Sequence, residues 1–95
     1  MARNETLVID GQDWAQLTNA DVSAASFQNQ GPGNLLVVAT TLASEPTDTS
    51  GAILYKPGEG EKNSLLADLF PGVSSGDRLY GYAETAICRV FVSHP

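Results

Sequence analysis

The run Asp77-Arg78-Leu79-Tyr80-Gly81-Tyr82-Ala83-Glu84, followed at once by Ala86-Ile87-Cys88-Arg89-Val90-Phe91-Val92-Ser93, decides the fold class. In the first stretch Leu79, Gly81 and Ala83 alternate with Tyr80, Tyr82 and Glu84. In the second, Cys88, Val90 and Val92 alternate with Ile87, Arg89 and Phe91. An extended chain sends successive side chains to opposite faces, so a period of two marks two strands, each with one face buried. The two are expected to pair with each other across a tight reversal near Thr85.

The same reading extends toward the N-terminus. Gly11, Gly31-Pro32-Gly33, Pro46, Gly51, Pro57-Gly58, Gly60, Pro71-Gly72, Gly76 and Gly81 break the chain into short segments, few of which could hold three helical turns. Between the breaks, Glu5 to Asp10 reads as a first strand with Leu7 and Ile9 on one side, and Ala20 to Gln28 as a second. The turn-forming run Gln28 to Asn34 leads into Leu35 to Thr41, which predicts a hairpin whose second arm is central and buried on both faces. Ser44 to Ser50 is a polar loop, Ala52 to Tyr55 a short strand, and Gly58 to Asn63 an exposed turn. Only Ser64 to Phe70 has helical character, with Ser64 as its cap, Leu65 and Leu69 four apart, and Pro71-Gly72 as its stop. The expectation is an all-β chain: a small antiparallel β-sandwich, or a short barrel, of six to seven strands with one short helical turn near 64–70, forming a single β domain over residues 1–95.

Composition narrows the partners. The 95 residues carry a net charge of −6, and the five basic residues Arg3, Lys56, Lys62, Arg78 and Arg89 are scattered among 11 carboxylates. Without a basic stripe there is no counterion release from phosphates, which argues against nucleic acid as a partner. The same sign argues against an anionic membrane surface, and no apolar run approaches the ~20 residues of a membrane-spanning helix. Met1-Ala2-Arg3-Asn4-Glu5 turns polar at once, unlike a secretory signal. The single cysteine, Cys88, has no internal disulfide partner, and its alternation with Val90 and Val92 favours a small buried hydrophobe over a reactive thiol or an intermolecular bridge.

Residues able to carry chemistry are sparse. His94, the lone histidine, is penultimate, where a fraying chain end is a poor place for a general base. One His and one Cys do not make a zinc site, and the loop carboxylates Glu45 with Asp48 and Glu59 with Glu61 lack the spacing of a calcium loop. Neither Gly31-Pro32-Gly33 nor Gly58-Glu59-Gly60-Glu61-Lys62 matches a phosphate-binding loop. The expectation is therefore a protein that is not an enzyme, with no catalytic residue, no metal and no cofactor. Five apolar residues stand out instead as interface candidates. Trp14, in the otherwise polar Asp13-Trp14-Ala15-Gln16-Leu17, either folds back with Leu17 to plug an open end of the sandwich or anchors a partner. Leu69 and Phe70 are either a lid on the core or a docking bump. Tyr80 and Tyr82, two apart on one strand face, either cover a sheet, meet a neighbouring subunit or stack on sugars.

Taken together, the early Trp14 and Leu17, the strand Ala20 to Gln28, the glycine-rich reversal and the terminal pattern Leu79-Tyr80-Gly81-Tyr82-Ala83 to Val90-Phe91-Val92-Ser93 resemble small phage virion proteins: capsid decoration (cement) proteins, head spikes and fibres, and related tail parts. The resemblance implies a non-enzymatic structural protein on the outer capsid surface, assembled in the host cytoplasm. Its partners would be the major capsid protein and copies of itself in a dimer or trimer. An acidic chain suits the exterior, since packaged genome would repel it. A carbohydrate-binding or adhesion module using Trp14, Tyr80 or Tyr82 is the alternative, and a small carboxylate-dependent enzyme is a third reading.

Overall fold

Alternation in the sequence is realised as eight strands among the described residues: β1 (Arg3–Ile9), β2 (Trp14–Gln16), β3 (Ala24–Pro32), β4 (Leu35–Thr40), β5 (Ile53–Tyr55), β6 (Gly60–Leu65), β7 (Arg78–Ala83) and β8 (Cys88–His94). One short helix, α1 (Leu66–Leu69), lies between β6 and β7. The coordinates are a computed structural model that describes residues 2–41, 45–73 and 77–95. Gly76, expected as a chain break, and Ser44, expected to open a polar loop, fall outside the described residues.

The strands form two antiparallel four-stranded sheets, β1-β8-β3-β6 (sheet I) and β2-β7-β4-β5 (sheet II). Inward-facing Ile9, Phe27, Val90 and Val92 of sheet I meet Leu35, Val37 and Leu79 of sheet II, with Leu17 beside them, in one buried cluster. Each such side chain contributes roughly 1.5–3 kcal/mol on removal from water. The all-β sandwich expected from the periodicity is the observed architecture, with eight strands in place of six to seven.

Strand neighbours differ from expectation. The stretches 77–84 and 86–93 do not pair: β7 lies between β2 and β4 in sheet II, and β8 between β1 and β3 in sheet I. Nor do β3 and β4 make a hairpin, since the chain leaves sheet I at Pro32 and enters sheet II at Leu35. Six of the seven successive connections cross between sheets, and β4–β5 alone joins neighbours. The physical reason is that both apolar faces of a crossing pair turn into the shared core, so they stack across it and need not lie side by side.

Smaller corrections follow from pairing overriding local preference. The expected turn 58–63 mostly belongs to β6, an edge strand held on β3. Residues 20–23 lie outside the second strand, which starts at Ala24. Ser64 does not cap the helix. The cap position is Leu65, extended and without a side-chain bond, while Ser64 Oγ donates to Glu61 at 3.3 Å. β4 is central, as expected, but only its inner side is buried; Leu36, Val38 and Thr40 are half-buried on the outer side. His94 does not fray. It ends β8 opposite Arg3, is 6% exposed, and its Nε2 accepts the Asn19 N–H at 3.4 Å.

Candidate functional site

Register, more than any single residue, builds the surface of sheet II. Trp14 of β2 lies opposite Tyr82 of β7, Tyr82 opposite Leu36 of β4, and Leu36 opposite Leu54 of β5. Core positions alternate with these along every strand, so the four side chains form one row across the outer face. A parallel row holds Gln16, Tyr80 and Val38. Outer faces of sandwich sheets are ordinarily polar, yet here two aromatic and two aliphatic side chains cross the whole sheet. The Trp14 and Tyr82 ring centroids are 4.8 Å apart at an interplanar angle of 48°, a tilted contact of the kind aromatic quadrupoles favour. Leu54 is 43% exposed.

Of the residues singled out from sequence, the structure therefore unites Trp14 and Tyr82 and sets Tyr80 in the next row, largely covered at 4% exposure. The Tyr80 hydroxyl donates to Gln16 Oε1 at 3.4 Å. Leu69 and Phe70 stand elsewhere. Phe70 belongs to the core, its N–H closing the helical turn onto the Leu66 carbonyl at 2.9 Å, and Leu69 packs half-buried against the same cluster. Leu17 is wholly buried while Trp14 is not, so only Leu17 plugs the sandwich. Leu36 and Leu54 were missed by sequence reasoning. Their signal is register, which becomes readable only once β4 and β5 are paired.

The outer face of sheet I is of another kind. Phe91, half-buried in the middle of the face, lies between Thr6 of β1 and Gln28 of β3. A shallow cleft of about 480 Å³ runs beside it, lined among others by Ser26, Gln28, Gly60, Lys62 and Ser93. Gly60 has to be glycine, because a Cβ there would overlap the Phe27 carbonyl of the adjacent strand. Gly60, opposite Gln28, ends the Phe91–Gln28 row without a side chain.

Titratable groups turned inward serve packing. The Tyr55 hydroxyl donates to Glu61 Oε2 at 3.1 Å. Burial, then the Glu61 hydrogen bond and the nearby carboxylate charges, push the phenol well above its ordinary range. Burial likewise pushes the Cys88 thiol up, with a Gly33 backbone hydrogen bond partly opposing it. A sealed, protonated thiol is a packing group and not a nucleophile. Glu59 Oε1 accepts the Lys56 N–H at 2.8 Å and Asp48 Oδ1 the Ser50 N–H at 2.9 Å, so both carboxylates organise turns. Among the described residues no group of three or more His, Cys, Asp or Glu side chains is placed to hold a metal ion. No family model, no curated protein and no solved structure matches this chain.

Proposed function

We propose that the chain is a non-enzymatic structural module that acts through the outer face of sheet II, as a small oligomer decorating the exterior of a phage capsid. The observation that carries this reading is the unbroken row Trp14–Tyr82–Leu36–Leu54. Aromatic and aliphatic side chains gathered on a flat face gain the most when a partner removes them from water, and Trp and Tyr are enriched among residues that dominate binding energy. A standard interface takes ~800 Å² from each partner, about a sixth of the 4976 Å² that the protein exposes and the scale of one sheet face. A second copy is the simplest occupant, since a two-fold axis lets the same row face itself. Contacts of the resulting oligomer with the major capsid protein would add stability by mass action. The net charge of −6 supports an exterior position. The tilt between Trp14 and Tyr82 lends no support to a flat stacking platform for sugars at this place.

Sedimentation equilibrium of the purified chain, together with co-sedimentation on empty capsids, tests the reading. A dimer or trimer that binds capsids supports it. A chain that stays monomeric at millimolar concentration and leaves empty capsids bare overturns it.

A further inference from the structure

We propose that the outer face of sheet I is a second, independent binding site whose ligand is an acidic saccharide, seated on Phe91. Three observations converge there. First, the charge of this face opposes that of the molecule. The chain has 11 carboxylates against five Lys and Arg, yet the strand positions turned outward on sheet I carry Arg89 and Lys62 and no Asp or Glu; Glu61, which lines the cleft beside Lys62, has its carboxylate engaged by the Tyr55 and Ser64 hydroxyls. Among the described residues neither cation forms an ion pair, so both are free to meet an anion.

Second, the neutral groups around Phe91 are hydroxyls and amides. Thr6 and Gln28 flank it across the sheet, and Ser93 follows it on the same face of β8. A ring of short donors and acceptors about one aromatic face matches a pyranose, which offers C–H groups on its flat side and hydroxyls around its rim. Third, the cleft is a built feature of the sheet. Between the pairs Phe27–Glu61 and Ala25–Ser64 the edge strand carries two residues, Lys62 and Asn63, opposite Ser26 alone. Asn63 takes a φ of 45°, and its N–H donates to Ser26 Oγ at 2.8 Å. Such bulges re-aim side chains at sheet edges, and here Lys62 lines the cleft together with Gly60. The volume of about 480 Å³ lies within the ~300–1,000 Å³ of small-molecule sites.

An acidic peptide fits less well. Peptides join sheets by backbone pairing at a free edge, whereas Phe91 sits on β8, with β1 and β3 occupying both of its sides. At Phe91 itself only side chains are on offer, and the free edge of sheet I at β6 lies across the cleft with β3 between.

The test is a titration of the isotopically labelled full chain with tri-galacturonate, using cellotriose as the neutral control and penta-glutamate as the peptide control, read by amide chemical shifts. Expected are shifts clustered on Gln28, Lys62, Phe91 and Ser93, with cellotriose weaker by about ten-fold, a loss of ~1.4 kcal/mol. Phe91→Ala is expected to weaken tri-galacturonate by at least about ten-fold. Lys62→Gln, at an exposed position where folding is unaffected, is expected to remove most of the preference for the acidic sugar and its salt dependence. The proposal is overturned by any of four results: no shifts with about 10 mM tri-galacturonate, ten times a Kd of about 1 mM; shifts centred on Trp14 and Leu54; equal binding of cellotriose; or penta-glutamate binding as tightly. Because the site lies on the other sheet, failure here leaves the oligomer reading standing, and the reverse also holds.

Discussion

Asn29 and Tyr55 belong to different sheets and are joined by a buried hydrogen bond, the Asn29 side-chain N–H donating to the Tyr55 carbonyl at 2.8 Å. The same amide nitrogen donates to the Gly33 carbonyl at 2.8 Å, and its oxygen accepts the Gly31 N–H at 2.8 Å. Both donors and the acceptor of one wholly buried side chain are therefore spent on backbone groups where the chain passes from sheet I to sheet II. At this crossing one side chain satisfies backbone groups on both sides of the passage, which explains why Asn occupies an inward position between Phe27 and Gly31.

Replacing Asn29 with Leu leaves two buried carbonyls and one buried N–H without this partner. An unsatisfied buried group costs ~1–3 kcal/mol, so the loss should be about 3 kcal/mol or more, a large part of the ~5–15 kcal/mol of a small domain. Urea unfolding checks this, with the midpoint falling and the slope unchanged. Asn29→Asp is expected to be no better, because it sets a carboxylate against two carbonyl oxygens.

Tyr55 makes stability sensitive to alkali. Its folded-state pKa lies above its ordinary value, so above that ordinary value, ~10, the unfolded chain releases the phenolic proton while the folded chain retains it. Fewer protons on the unfolded state mean that stability falls as pH rises. The contribution is complete below pH ~10 and is lost progressively above it. Unfolding free energies between neutral and strongly alkaline pH should show that decline, and Tyr55→Phe should flatten it while lowering neutral stability slightly through loss of the bond to Glu61.

The limits of legibility are visible in the same residues. Inward faces were readable: Leu79, Gly81 and Ala83, and Cys88, Val90 and Val92, are all buried as their period implies. Neighbours were not, because Gly31-Pro32-Gly33 announces that the chain turns without saying which sheet receives it. β6 was hidden for a related reason. Gly60-Glu61-Lys62-Asn63 has the composition of a turn and becomes a strand only through its pairing with β3. Trp14 could be suspected from its polar surroundings, whereas Phe91 looked like one more alternating residue until Thr6, Gln28 and Gly60 were placed around it.

Cys88 is predicted to be silent toward thiol reagents in the native protein. It is wholly buried beside the Asn34 carbonyl, 3.2 Å from its sulfur, and burial disfavours the thiolate. Labelling should therefore require opening of the core. Its rate in increasing urea should follow the global unfolding curve, and rapid stoichiometric labelling in native buffer would contradict the placement.

Gly81 faces the core, where an added Cβ would lie 3.1 Å from both Leu17 Cδ2 and Leu35 Cδ1. Both leucines are fully buried and have nowhere to move. Gly81→Ala gains ~0.4–1 kcal/mol from a stiffer unfolded chain but meets an overpacking cost of ~1–3 kcal/mol. The net effect should be a loss of about 1 kcal/mol, measured as a lower thermal midpoint.

Leu54 separates folding from association. At 43% exposure on edge strand β5, its side chain leans on Leu36 and contributes little to the core. Leu54→Glu should therefore shift stability by only about 0.5 kcal/mol, as surface substitutions do. In a self-facing interface the same change sets a carboxylate against an apolar row, and against its own copy if the two-fold axis passes nearby, a penalty of several kcal/mol. Sedimentation should then show a folded monomer whose unfolding curve nearly overlays that of the parent protein. An unchanged oligomer would move the contact away from the Trp14–Tyr82–Leu36–Leu54 row. A monomer that has also lost most of its stability would instead assign Leu54 to folding.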